Sequence, residues 1–326
     1  MLRRNSVNSA TRLSPGIPEY PPKYGEAGSA LFTITTQCSE HASALAWLAP
    51  TPNLPMPTKK KNPAQANAAR VKIATFNVNG ISTRLPHLLE WLKKESPDIV
   101  CLQELKALDS GFPILDIRAA GYGAIWRGQR SWNGVAILAK GQEPQEVQRT
   151  LPGDTEDDQS RYLEAVVGGI TVGCLYLPNG NPQPGPKFKY KLAWFERLIE
   201  HAQGLYTSGK PVVLAGDFNV VPTDFDIYNP RSWLKDALLQ PESRASYQRL
   251  LAQGWVDSLR ALHPDERIYT FWDYFRNHWQ TNSGLRIDHL LLNPELAPHL
   301  TGAGVDRWVR GLEKASDHAP TWIALG

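Results

Sequence analysis

From Val71 to the C-terminus, short apolar runs alternate with amphipathic segments across short connections, and this alternation narrows the fold more than any other feature of the chain. Val71–Phe76 is β-branched and apolar, Leu85, Leu88, Leu89 and Leu92 follow at helical spacing, and Ile99–Leu102 is a second apolar run behind Pro97-Asp98. That order predicts a strand, a helix over 85–94 and another strand. Further strands are expected at Gly134–Leu138, Tyr162–Gly168, Gly173–Leu177, Pro211–Ala215, Ile287–Leu292 and Trp322–Leu325. Helices are expected over 188–206, where Phe188, Leu192, Phe195, Leu198 and Ile199 share a face, and over 243–253. Strands interleaved with helices define one α/β domain over residues 70–326. No short-period repeat interrupts it.

Residues 1–69 read differently. Residues 1–70 carry 8 Lys+Arg against 3 Asp+Glu and hold 9 of the 26 prolines, whereas residues 71–326 carry 27 against 29. A disordered N-terminal extension is therefore expected over 1–69. Arg3, Arg4 and Arg12 without a nearby acid have the composition of a transit peptide, but no amphipathic period supports targeting. The only methionines are Met1 and Met56, and Met56 lies just ahead of the first strand, so it stands as an alternative start. Cys38, Cys101 and Cys174 have no paired spacing, which excludes a cysteine zinc site, and the latter two sit in apolar runs as reduced buried thiols would. No apolar run approaches the ~18–20 residues of a membrane helix.

The chemistry gathers where the apolar runs end. Phe76-Asn77-Val78-Asn79-Gly80 follows the first, Gln103-Glu104 the second, Tyr176-Leu177-Pro178-Asn179-Gly180 a third, and Gly216-Asp217-Phe218-Asn219 a fourth. Arg286-Ile287-Asp288-His289 lies at the last long run and Ser316-Asp317-His318-Ala319-Pro320 near the C-terminus. A single Asn or Asp after a strand is ordinarily a turn or cap residue. Several carboxylates in apolar surroundings instead require a cation or a hydrogen-bonded network. Oxygen donors without thiolates suit Mg²⁺ or Mn²⁺ rather than zinc. Gly204-Leu205-Tyr206-Thr207-Ser208-Gly209-Lys210 imitates a phosphate-binding loop, but Pro211 stands where a hydroxyl residue must hold magnesium, and the run precedes its strand.

Taken together and in order, with Leu102-Gln103-Glu104 and Gly284-Leu285-Arg286-Ile287-Asp288, these motifs resemble the exonuclease III family of abasic-site endonucleases, within the endonuclease/exonuclease/phosphatase superfamily. The resemblance spans residues 71–326. It implies a four-layer α/β sandwich of two packed mixed β-sheets flanked by helices. It also implies a Mg²⁺-dependent DNA-repair nuclease that cuts 5′ to abasic sites and trims 3′ ends, a monomer acting on double-stranded DNA, cytoplasmic and nucleoid-associated in the bacterial manner, with no membrane partner. Leu105 departs from the family, in which Thr commonly precedes the lysine found here as Lys106.

The resemblance assigns roles residue by residue. Glu104 is the principal metal carboxylate, Asn77 helps hold the site and Asp317 completes it, with Asp217, Asn219 and His318 as further metal-site residues and the number of cations, one or two, left open. Asp217 activates water or protonates the leaving oxygen, Asn219 orients the nucleophile, His318 and Tyr176 reach the phosphate, and Asp288 fixes the His318 ring. Residues 269–279 hold six aromatics in eleven positions. In the family this segment lines the pocket for an extruded sugar, with Phe271, Leu285 and Ile287 as walls and Phe275 or Trp279 as a wedge in the duplex. Trp272 and Tyr274 are expected in the core. With no net positive charge on the body, contacts to DNA must be local, and Lys187, Lys189 and Lys191 form one candidate cluster on a helix face. The competing class is a phosphatase of the same superfamily acting on inositol phosphates or lipids.

Overall fold

A computed structural model describes residues 70–326. The expected extension over 1–69, the alternative start at Met56 and the targeting segment lie outside the described residues. Two six-stranded sheets form the centre of the described chain. The first comprises β1 (Val71–Asn77), β2 (Ile99–Gln103), β3 (Tyr122–Arg127), β4 (Val135–Lys140), β11 (Leu300–Val305) and β12 (Thr321–Leu325), in the order β11-β12-β1-β2-β4-β3. The second comprises β5 (Gln145–Gln148), β6 (Tyr162–Val167), β7 (Ile170–Tyr176), β8 (Val212–Asp217), β9 (Val256–Asp257) and β10 (Asp288–Leu292), in the order β5-β6-β7-β8-β10-β9. Helices α1 (Ile81–Glu95) and α2 (Ile114–Ala119) cover the first sheet, and α3 (Pro186–Tyr206) and α4 (Pro241–Leu251) the second. A short α5 (Ser258–Leu262) follows β9. This is the four-layer sandwich of mixed sheets that the resemblance implied.

Both faces of each central strand are buried, which is why the strands read as unbroken apolar runs. In β2, Ile99 and Cys101 point between the sheets, while Val100 and Leu102 point outward beneath α1. In β8, Val213 and Ala215 face the inter-sheet core, and Val212 and Leu214 face α3. Cys101 and Cys174 are buried free thiols in that central layer, as the sequence suggested.

Each sheet has one parallel pair at its middle, β1 with β2 and β7 with β8, and every other named pairing is antiparallel. Parallel partners end at the same edge, so Asn77 and Glu104 emerge together from one sheet and Tyr176 and Asp217 from the other. Antiparallel β10 starts at that edge, with Asp288 opposite Asp217, and β12 brings the preceding Asp317-His318 to it beside β1. Gly216 permits the close approach of β8 to β7, since a Cβ there would fall 1.9 Å from the Leu175 carbonyl oxygen.

Helix α1 begins four residues before its expected start at 85. Leu85 opens the apolar face, but the first turn is set by backbone, with Ile81 N–H donating to the Leu105 carbonyl at 3.0 Å. Strands β3, β5, β9 and β11 and helices α2 and α5 went unread in the sequence. β5 is largely exposed, β11 is mostly half-buried, and neither has an apolar run; β9, α2 and α5 are only two to six residues long. Leu105 is 1% exposed and packs in the core beneath α1, so its departure from the family falls on packing.

A buried charge network braces the start of β10. Arg286 donates from Nε to Asp226 Oδ1 and from Nη1 to Asp257 Oδ2, each at 2.7 Å, and Arg260 Nη2 also reaches Asp226 Oδ1 at 2.7 Å. Although burial pushes the Asp226 carboxyl up, the Arg286 guanidinium together with Thr223 and Arg260 outweighs it and holds the group down at about 2. Removing one partner of such a pair leaves the other charge buried and unpaired. Arg286→Leu is expected to cost about 3–5 kcal/mol of stability, read from denaturant unfolding; a loss below about 1 kcal/mol would show that the two aspartates relax to water.

Candidate active site

The edges of the two sheets meet in a cluster built around Asn77, which is fully buried. Its Nδ2 donates to Glu104 Oε1 at 3.1 Å and to Asp217 Oδ2 at 3.0 Å, bridging a carboxylate of one sheet to a carboxylate of the other. Glu104 Oε1 also accepts from the Tyr176 hydroxyl at 2.7 Å, and Oε2 pairs with Lys106 Nζ at 2.8 Å. Burial alone would raise the Glu104 pKa, but Lys106, Tyr176 and Asn77 together take it below the ordinary carboxylate value. Glu104 has φ 52 and Asn219 φ 46, left-handed backbone that a non-glycine residue adopts at a cost of ~1–3 kcal/mol.

Asp217 is almost completely enclosed, 1% exposed. Its Oδ1 accepts from the Asn219 backbone N–H at 2.9 Å, while His318 Nε2 stands 3.8 Å from Oδ2. Burial drives its pKa upward to about 7; His318 opposes the rise and Asp288 adds to it. Asn219 Nδ2 donates to the Leu177 carbonyl at 2.8 Å, and Asn179 Nδ2 donates to Asn219 Oδ1 at 3.1 Å. Lys191 Nζ donates to the backbone carbonyls of Asn179 and Asn219, tying those two loops together. Lys191 is fully buried, so it does not belong to an exposed basic face; Lys187 and Lys189 are exposed.

His318 is held by Asp288, whose Oδ2 lies 2.8 Å from Nδ1. The other oxygen of Asp288 is buried without a partner. Burial disfavours the imidazolium, but the Asp288 charge and hydrogen bond overcome this and raise the His318 pKa to about 10. Asp217, Asp288 and His318 form the tight cluster of metal-ligand atom types among the described residues, within 4.8 Å of one another. With Nδ1 turned to Asp288, a protonated His318 presents its Nε2–H as a donor suited to a phosphate oxygen, while the Asp217 carboxylate beside it can serve a cation. The Glu104 side suits a hard divalent cation better. Its ligand oxygens are those of Glu104 and Asp317, steadied by the amide N–H groups of Asn77 and Asn79, and it already draws in one cation, the Lys106 ammonium.

A pocket of about 200 Å³ opens over Glu104, Asp217, Asn219 and His318, with Phe271 and Ile287 on its wall. The Phe271 ring lies 4.9 Å from that of His318. Leu285, expected as a third wall, is fully buried and packs behind Phe271 with Ile227 and Leu238. Trp279, expected as a wedge, stands edge-on to Trp272 at 5.0 Å with Arg307 and Arg310 over its ring. Phe275 is 73% exposed. Trp272 is core as expected, but Tyr274 is half-exposed and its hydroxyl enters the polar cluster. The structure also adds Trp233, Asp236 and Leu238 to the wall. No motif marks them, because they come from the irregular 229–240 segment.

A larger cleft of about 730 Å³ shares Glu104, Tyr176 and Asp317 with this pocket and is flanked by Lys106, Arg161 and Lys187. These supply local positive charge on a body without a net excess. Trp132, which carried no sequence signal, stands 73% exposed along this cleft.

The two packed mixed sheets and the polar centre where their strand ends meet are those of a family of phosphoester hydrolases. The chain belongs to the Endonuclease/Exonuclease/phosphatase family, whose model matches residues 74–318. It is 37% identical over 265 residues to exodeoxyribonuclease III of Haemophilus influenzae, covering 77% of this chain and 98% of that protein. Among solved structures, 3′ phosphatase NExo from Neisseria bound to product DNA hairpin is 40% identical with a TM-score of 0.76, and an AP endonuclease from Archaeoglobus fulgidus is 37% identical with a TM-score of 0.75. Each covers 78% of this chain and 99% of its own. Among the described residues, no helix is long and apolar enough to cross a membrane.

The Asp288–His318 pair has a pH signature. A histidine whose pKa rises from 6.5 unfolded to about 10 folded contributes stability fully present below pH 6.5 and lost as pH climbs toward 10. Asp288→Asn should remove that dependence and bring the His318 titration, followed by NMR, back toward neutrality. A His318 that titrates near 6.5 in the wild type would contradict the pairing.

Proposed function

We propose that this chain is a divalent-cation-dependent DNA-repair nuclease that hydrolyses the phosphodiester bond 5′ to an abasic site and trims 3′ ends of duplex DNA. The observation that carries this reading is the position of Asp217. It lies between an oxygen-rich centre on one side and a cationic imidazole on the other, at the floor of a pocket with an apolar wall.

The scissile phosphate lies against His318, whose Nε2 donates to a phosphate oxygen and stabilises the charge that develops as the bond breaks. Asp288 holds the imidazole protonated and turned toward the phosphate. Asp217, with a pKa near neutrality, takes the proton from the attacking water or returns one to the leaving oxygen. Asn219 fixes the Asp217 carboxylate through its backbone N–H, and Tyr176 fixes Glu104 beside the phosphate. Mg²⁺ or Mn²⁺, held by Glu104 and Asp317 with Asn77 behind them, supplies charge neutralisation on the phosphate oxygens. Phe271 and Ile287 receive a sugar without a base, because a base-bearing nucleotide must be unpaired and is too large for the space. Phe275, exposed at the rim, enters the duplex where the sugar leaves it. The protein acts as a monomer on double-stranded DNA.

Three substrates test the reading: a duplex with one abasic site, a duplex with a recessed 3′ end, and an inositol phosphate, each with Mg²⁺ and with EDTA. Cleavage of both duplexes, abolished by EDTA, with no phosphate from the inositol, is expected. Release of phosphate from the inositol phosphate with intact duplexes would overturn the assignment. Phe271→Ala should lower abasic cleavage at least ~10-fold more than 3′ trimming, since only the former holds a flipped sugar in the pocket. Equal losses on both duplexes, with a large drop in melting temperature, would make Phe271 plain core.

A further inference from the structure

The exposed tip that carries Phe275 is joined to the proposed cation site by one hydroxyl. Tyr274 precedes Phe275, and its hydroxyl donates to the Ala315 carbonyl at 2.8 Å. It accepts from Asn79 Nδ2 at 3.2 Å and from Arg84 Nη2 at 3.3 Å. Asn79 Nδ2 also donates to Asp317 Oδ1 at 2.9 Å, and Asn79 Oδ1 accepts from Lys106 Nζ, which pairs with Glu104 Oε2. Arg84 Nη1 donates to the Asn79 carbonyl at 2.7 Å, and Asn79 sits at φ 47. Asn79 therefore orients Asp317 directly and reaches Glu104 through Lys106, and Asn79 takes part of its own orientation from Tyr274.

We propose that Tyr274 is a positioning residue that couples the seating of DNA at the 273–276 tip to cation binding between Glu104 and Asp317. The inference rests on the function proposed above. Duplex pressed against the tip holds Tyr274 in place, Tyr274 holds Asn79, and Asn79 keeps Asp317 turned toward Glu104 and draws the Lys106 ammonium that would otherwise compete with a cation. Linkage makes the effect mutual, so a bound cation favours the seated tip by the same factor. Tyr274→Phe keeps the ring, including its contact with the Arg310 guanidinium 5.2 Å from the ring centroid, and removes only the hydroxyl.

The test is Mn²⁺ binding by calorimetry to wild type and to Tyr274→Phe. Each is measured alone and with a duplex carrying a tetrahydrofuran abasic analogue between non-hydrolysable linkages. Duplex should tighten Mn²⁺ binding to the wild type by at least ~5-fold, the low end of ordinary coupling. In Tyr274→Phe, Mn²⁺ should bind more weakly to the free protein, and the duplex-to-free ratio should fall close to one, with an unchanged melting curve. An unaltered ratio in Tyr274→Phe, or no ratio in the wild type, overturns the coupling. Failure of the underlying function is a separate result, in which the wild type binds neither Mn²⁺ nor the duplex.

Discussion

One buried amide spans the two sheets. Asn77 Nδ2 touches Glu104 from its own sheet and Asp217 from the other, at 3.1 and 3.0 Å. Carboxylates brought this close repel each other and lose their water. A shared donor between them, with Lys106 behind Glu104 and His318 beside Asp217, lets both persist. The packing of the sheets and the chemistry of the edge are thus one arrangement. The parallel pairs β1–β2 and β7–β8 put their C-terminal ends together, and Asn77 joins what those ends deliver.

The environments on the two sides of that amide push the acids apart. Glu104 is surrounded by donors and a lysine and stays below the ordinary carboxylate value, while Asp217 is enclosed by protein and rises to about 7. In the mechanism proposed above, this separation lets one carboxylate hold charge while the other moves a proton. His318 completes the division, because Asp288 keeps it cationic where a phosphate would rest. Left-handed backbone at Glu104 and Asn219 fits the same picture, since local strain gathers where side chains must be aimed rather than packed.

Much of this was legible in the sequence, for identifiable reasons. The inner strands are buried on both faces, so Val71–Phe76, Ile99–Leu102 and Pro211–Ala215 read as apolar runs, and the polar residues that end them marked the site. Short exposed strands such as β5 left no such signal. The second sheet was legible only through the family resemblance, because periodicity reports burial and not which strands pair. Single residues misled where one letter allows two environments. Lys191 belongs to a basic helical turn in sequence but reaches inward to two carbonyls, and Leu285 sits in the right motif yet one layer too deep. Tyr274 reads as core among aromatics, and its exposure and hydroxyl partners show otherwise. Trp233 and Leu238 come from irregular chain, where no pattern says which side chains turn inward.

The central claim is that the Asn77 amide makes one working centre from the edges of two sheets. Its most direct test is the single-turnover rate of Asn77→Ala on an abasic duplex at saturating Mg²⁺, measured beside the wild type and with the melting curve of each. The account predicts a fall of at least ~10²-fold, the scale of losing a preorganised polar group in a site of this kind, with the fold retained. An Asn77→Ala enzyme that cuts at nearly the wild-type rate would contradict it.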